Sequence, residues 1–282
     1  MSNLAEQVLK DIVALIKSDN LILPTLPEVA LKAREAAEDP DISSLALSKV
    51  VTNDAALTAR IIRVANSPLM RACKQVDDLQ MAINRMGITF TSNLITSLAM
   101  EQMFQATSDT VDTMMRNAWN RSTEVAGIAH VLCKHYTRLR PDQATLAGIT
   151  HEIGVLPILL YAEEHPELLD DSKTLNKIIN KVHPYLGELI LKTWDFPDEL
   201  VCVPKNYLKF DHKETPNPDY IDLVTVAVLQ SHAGTDHKLA SVDPITVPAF
   251  AKLGINTEEE EEEEDLAAEM EMAMTLLNSG DK

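Results

Sequence analysis

Glycine is scarce in this chain, at 8 of 282 residues, while alanine, leucine and methionine are frequent. That balance suits helices better than twisted sheets. Cysteine is scarcer still: Cys73, Cys133 and Cys202 lie far apart, and three thiols cannot all pair. With no CxxC spacing, neither a disulfide framework nor a thiolate metal site is expected, and a reducing cytosol is the simplest setting. Positive charge is also short, 25 Lys and Arg against 43 Asp and Glu, for a formal net charge of −18. Removing the acidic block Glu258–Asp265 still leaves −10, so a phosphate backbone would be repelled and direct nucleic-acid binding is disfavoured. No apolar run is expected to reach membrane-spanning length. The opening "MSNLAEQVLKDIVALIKSDN" is amphipathic and carries acids, unlike a secretory leader.

What is present is hydrophobic periodicity: 45% of residues are hydrophobic, enough for one large core or two sharing an interface. Leu4, Val8, Ile12, Leu15 and Ile16 recur at helical spacing. Pro24 and Pro27 give an extended entry, with Pro27 expected at the first position of a helix ending near Glu38. Two short helices follow, the first capped by Asp41 or Ser43 and the second by Asp54, and Asn66-Ser67-Pro68 stops the second. "VDDLQMAINRMG" predicts a helix closed by Gly87 as a left-handed cap. A longer helix is expected from Ile88 to Phe104. The polar break "QATSDT" is the expected subdomain boundary. Beyond it the pattern predicts helices over 111–137, 142–152, 157–164, 175–194, 197–208 and 221–232, with no alternating strand pattern. Thr257 and Glu260 form a capping box for a tail helix whose apolar face (Leu266, Met270, Ala273, Leu277) is expected to pack on its own domain. The fold class expected is all-α.

"LAGITHEIGVLP" places a histidine and a carboxylate side by side, His151 and Glu152, at the end of an apolar run. Pro157 cannot continue a helix through Ile153, and Gly154 adds a flexible point, so the pair is expected at a bend where side chains converge. Imidazole and carboxylate suit a divalent metal, but one of each is an incomplete set. His183, in "KVHPYLGELILKTW", can reach the same pocket. His130, His135 and His165 are expected to be hydrogen-bonded packing or surface residues.

Several stretches in order, "LPTLPEVALKAREAAEDPD", "NDAALTARIIRVANS", "VDDLQMAINRMGI", "LAGITHEIG" and "HPYLGELILKTWDFPDEL", resemble the HDOD domain, the HD-related output domain of bacterial signalling proteins. The resemblance runs from about Leu21 to His232. It implies a multi-helical fold like the HD-superfamily metal phosphohydrolases, with an N-terminal helical subdomain and an eroded metal site. The implied divisions are an N-terminal helix (1–20), the N-terminal part of the HDOD domain (21–105), a degenerate HD-like part (110–235) and an acidic C-terminal segment with its helix (236–282).

By the same resemblance, Arg121 in "RSTEVA" stands where an active enzyme has its first metal histidine, and a guanidinium repels a metal. The His-Asp doublet survives as His151-Glu152. His183 matches an additional histidine of the cyclic-dinucleotide-cleaving relatives. Asn206 and Tyr207 stand near an expected histidine pair, and Gln230 near the final aspartate. The function expected is a non-catalytic, cytoplasmic regulatory module acting through protein partners, with no cofactor. Asp54, Arg60, Arg63 and Asn66 are its candidate interaction residues, with capping and inter-helix ion pairs as their structural alternative. Two other readings stay open. One is a phosphohydrolase holding a divalent metal with His151, Glu152 and His183; the other is a sensor of a nucleotide or anion set against Arg121.

Overall fold

The apolar periodicities become helices, and among the described residues no strand forms. The computed structural model describes residues 2–18, 24–70, 74–212, 215–255 and 263–278. The helices are α1 (Ser2–Lys17), α2 (Glu28–Glu38), α3 (Ser44–Val51), α4 (Ala55–Ala65), α5 (Leu79–Met86), α6 (Ile88–Ala99), α7 (Asp109–Tyr136) and α8 (Pro141–Thr150). They continue with α9 (Val155–Glu163), α10 (Pro166–Leu169), α11 (Ser172–Thr193), α12 (Asp198–Val201), α13 (Val203–Asn206), α14 (Tyr220–Ser231), α15 (Pro248–Leu253) and α16 (Glu263–Leu277).

The caps follow side-chain chemistry. Ser43, not Asp41, caps α3, its hydroxyl accepting from the Ala46 N–H at 3.1 Å, and Asp54 caps α4 by accepting from Leu57 at 2.9 Å. Pro27 sits one place earlier than expected: it is the cap, with ψ 141°, and α2 begins at Glu28. Gly87 has a positive φ of 83°, but its ψ of 158° is extended rather than left-handed helical, and it closes α5 while opening α6. The helix expected to reach Phe104 stays α-helical to Ala99 and tightens to a 3-10 turn over Met100–Met103. The expected 197–208 helix is two short ones, as Pro204 lacks an N–H to continue α12. The Thr257–Glu260 box, Cys73 and most of the acidic block lie outside the described residues.

One apolar core gathers residues from both sides of the "QATSDT" break, among them Leu47, Ile61 and Ile95 with Met115, Leu132 and Ile149. Arg34 of α2 crosses the break, donating to the carbonyl oxygens of Trp194 and Asp195 at 2.8 Å each, with its guanidinium 4.4 Å from the Phe196 ring centre. The opening helix packs on elements from the second half of the chain. Val8 and Ile12 join Ile158, Tyr161, Leu175 and Val182 in a second apolar cluster with α9, α10 and α11. Fully burying each such side chain contributes about 2 kcal/mol.

The stretch Pro141–Glu163 is long and apolar enough by composition to cross a membrane, contrary to the expectation of no such run. It is 89% buried within the fold and broken at 151–154, so its apolarity faces the protein core.

The tail helix packs internally, as its stripe predicts. Met274 of α16 lies over Gly127 of α7 so closely that a Cβ there would come 2.7 Å from the Met274 Cγ. Glu269 pairs with Lys134 and His135, and Arg60 of α4 donates to the Leu277 carbonyl at 2.6 Å.

Candidate functional site

The bend after α8 is fixed by a close approach rather than by chain freedom. Gly154 has ordinary helical angles, φ −66° and ψ −7°. A Cβ on it would lie 2.1 Å from the His183 carbonyl oxygen and 2.6 Å from the Gly187 nitrogen. Glycine therefore lets the bend press onto α11, which brings the backbone of His183 beside the His151-Glu152 pair.

His151 is buried, at 2% exposure, and its Nδ1 sits 2.6 Å from the Gly148 carbonyl oxygen. A carbonyl only accepts, so Nδ1 carries the proton and Nε2 keeps its lone pair. Burial holds this imidazole below its ordinary pKa, opposed by Glu152. Glu152 turns toward Arg121, whose guanidinium donates at 3.3 Å. Burial works against ionisation of Glu152, but electrostatic attraction to His151, Arg121 and His183, with the Arg121 hydrogen bond, outweighs it and holds its carboxyl below the usual range.

His183 is as buried as His151, at 1% exposure, and burial pushes its pKa down to about 4. Its Nε2 lies 3.3 Å from the Tyr207 hydroxyl, and its Nδ1 is buried with no hydrogen-bond partner. Tyr207 meets both imidazoles. Its ring sits edge-on to His151, centres 4.9 Å apart, and 6.0 Å from His183. α14 holds it there, since the Thr225 hydroxyl donates to the Tyr207 carbonyl at 2.8 Å. Burial, and then Glu152, raise the phenol well above its ordinary pKa, so it stays neutral.

His151, Glu152 and His183 do not form a compact ligand set for a divalent metal. The ligand atoms of His151, Glu152 and His183 do not gather within 4.8 Å of one another; among the described residues that spacing is met by His212, Asp219 and Asp222. Those three are committed elsewhere: His212 pairs with Asp219 at 2.9 Å, Asp219 and Asp222 form the capping box of α14, and Lys252 lies 3.0 Å from Asp222. A ligating histidine ordinarily donates its other N–H to a fixing partner; for His151 that partner is the Gly148 carbonyl, and for His183 the longer contact is to the Tyr207 hydroxyl.

The remaining candidates do not converge. Asn206 donates to the Cys202 carbonyl and accepts from Lys209, both on its own short turn. Gln230 keeps a buried Oε1 without a partner. Asp54 is a cap, and Arg60 pairs with Glu101 at 2.5 Å. Asn66 staples the following loop through Val76, donating at 2.8 Å and accepting at 2.9 Å, while Arg63 is exposed. His130 bonds Thr145, His135 pairs with Glu269 and His165 stacks on Tyr161.

A model of the HDOD domain matches residues 23–207 of this chain. The chain belongs to the HDOD family. A solved protein from Shewanella amazonensis SB2B, provisionally named a metal-dependent phosphohydrolase, is 30% identical with a TM-score of 0.85, over 99% of this chain and 100% of that one. An HDOD protein of unknown function from Geobacter sulfurreducens shares the fold at 20% identity and a TM-score of 0.66, over 96% of each chain. A protein of uncharacterised role from Treponema pallidum (strain Nichols) is 23% identical over 214 residues. That match takes in 70% of this chain but 39% of the Treponema protein, so this chain spans well under half of its curated relative.

In this HDOD protein a cavity of about 770 Å³ opens beside His151, Glu152 and Arg121. Sequence reasoning did not single out most of its polar wall: Asn117, Asn176, Asn180, Ser231, His232 and His237, with Lys238. A signal for part of it exists, because Asn117 and Arg121, like Asn176 and Asn180, are four apart and share a helix face.

Proposed function

We propose that this HDOD protein is a non-catalytic, cytoplasmic regulatory module that acts through protein partners and uses no metal. The observation that carries this reading is Tyr207, packed against the imidazoles of both His151 and His183 with its hydroxyl 3.3 Å from the His183 Nε2. A phenol occupies a coordination direction there, and the adjacent carboxylate is spent on Arg121. A site clamping attacking and leaving oxygens needs several free anionic or neutral donors, which these residues do not offer. The net charge of −18 supports protein rather than nucleic-acid partners, and Leu31, Leu45 and Met81 stand exposed for a partner to cover.

Metal analysis of purified protein, with assays on phosphomonoesters, nucleotides and cyclic dinucleotides, tests the proposal. Substoichiometric metal and no turnover are expected. Stoichiometric iron, manganese or zinc that is lost in His151→Ala, together with turnover lost in the same variant, would establish the phosphohydrolase reading instead. A second reading, ligand sensing without chemistry, is favoured by the 770 Å³ cavity, which lies within the size range of small-molecule sites.

A further inference from the structure

The cavity beside His151 carries a charge pattern opposite to that of the chain. The protein as a whole is at −18, yet Glu152 is the one carboxylate among the cavity's lining residues, and it is paired with Arg121 at 3.3 Å. Lys238 also lines the cavity, and among the described residues it enters no ion pair. The positive balance therefore rests on Lys238.

Lys238 follows His237, whose ring stacks on His232 at a centre distance of 4.0 Å. Burial holds His232 below its ordinary pKa, with His237 and Arg121 adding to the effect, so the imidazole is neutral and offers a hydrogen bond rather than a second charge. Elsewhere the wall is apolar, with Ile179, Phe210, Leu239 and Val242. Lys238 itself is exposed, so water screens part of its attraction for an anion, while these apolar walls offer contact for a ligand's body.

We propose that this cavity binds a small organic anion, a carboxylate or phosphate monoester with an apolar body. Its anionic oxygens meet Lys238 and the free edge of Arg121, and its body packs on Ile179, Phe210 and Leu239. Asn117 on α7 and Asn176 and Asn180 on α11 supply neutral hydrogen bonds at the rim. The inference rests on one part of the ligand-sensing reading, that the cavity holds a ligand, which turnover of that ligand would not remove.

The test is an NMR titration of phenyl phosphate, phenylacetate and neutral benzyl alcohol into the full-length protein, with released phosphate measured in the same samples. Saturable binding of either anion is expected, with benzyl alcohol much weaker. The two anions, compared, tell a phosphate from a carboxylate preference. Lys238→Gln should weaken binding about tenfold, the scale of one charge-assisted hydrogen bond, while Lys173→Gln, outside the cavity, leaves it unchanged. Absence of saturable anion binding, equal binding of benzyl alcohol, or indifference to Lys238→Gln would overturn the proposal and leave the non-catalytic reading standing. Phosphate release that disappears in His151→Ala would end the non-catalytic reading while leaving the anion site in place.

Discussion

Replacing Gly154 with alanine sets two effects of opposite sign against each other. Its backbone angles, φ −66° and ψ −7°, are ones alanine adopts freely. On chain entropy alone the change should stabilise the fold by about 0.4–1 kcal/mol. The new Cβ, however, would stand 2.1 Å from the His183 carbonyl oxygen and 2.9 Å from its carbonyl carbon. A carbon and an oxygen settle at roughly 3.3 Å or more, so α11 must retreat by about an ångström. The obstacle is helix backbone, which cannot swing aside as a side chain would. Overpacking of this kind costs about 1–3 kcal/mol and occasionally more, and this contact belongs at the upper end. The net expectation is a loss of about 2 kcal/mol, or roughly 4–8 °C in Tm for a chain of this size. Far-UV circular dichroism melts of Gly154→Ala beside the parent protein measure it. A Tm equal to or above the parent's would refute the claim that glycine is required for close approach.

Lys252→Ala strands the Asp222 carboxylate, which is wholly buried and held at 3.0 Å by both oxygens, and should cost about 3 kcal/mol at pH 7. Burial already raises the Asp222 pKa above 3.8, so its charge weighs against the fold as pH rises; losing Lys252 raises it further. The deficit between variant and parent in urea should therefore shrink toward pH 4.5, and a deficit constant with pH would contradict this account. His130, pushed by burial from 6.5 to about 4, contributes stability that is present above pH 6.5 and lost as pH falls toward 4. Linkage puts that loss at about 2 kcal/mol between pH 7 and pH 5, and His130→Gln should remove that share of the pH dependence. Urea midpoints that fall equally in both proteins would show that His130 is not responsible.

Helix positions and caps were readable from the sequence wherever local chemistry decides them. Ser43, Asp54 and the Pro157 bend each act within a few residues of themselves. The residues gathered about His151 were readable through the HDOD resemblance, as far as Arg121, which the structure pairs with Glu152. What escaped depends on contacts between distant segments. Tyr207 stood in the sequence as a missing histidine, and only the fold brings its ring against His151 and His183. Gly154 reads as a flexible point until α11 is placed against it, and Gly87 shows its positive φ but not its extended ψ. The docking of α1 on α9–α11 has no local signal, since an amphipathic stripe does not name its partner. The capping box of Asp219 and Asp222 hides in a loop whose proline and asparagine content marks a turn but not a helix start.

The family match ends at Tyr207, while the Thr225 hydroxyl that fastens Tyr207 and the tail whose Leu277 carbonyl receives Arg60 both come later in the chain. Scissors applied at the homology limits would thus discard the bolt for the tyrosine and the clasp joining α16 to α4 and α7. A portable version of this domain, fused to a reporter or grafted into another protein, has to carry its last seventy-odd residues as part of the machine.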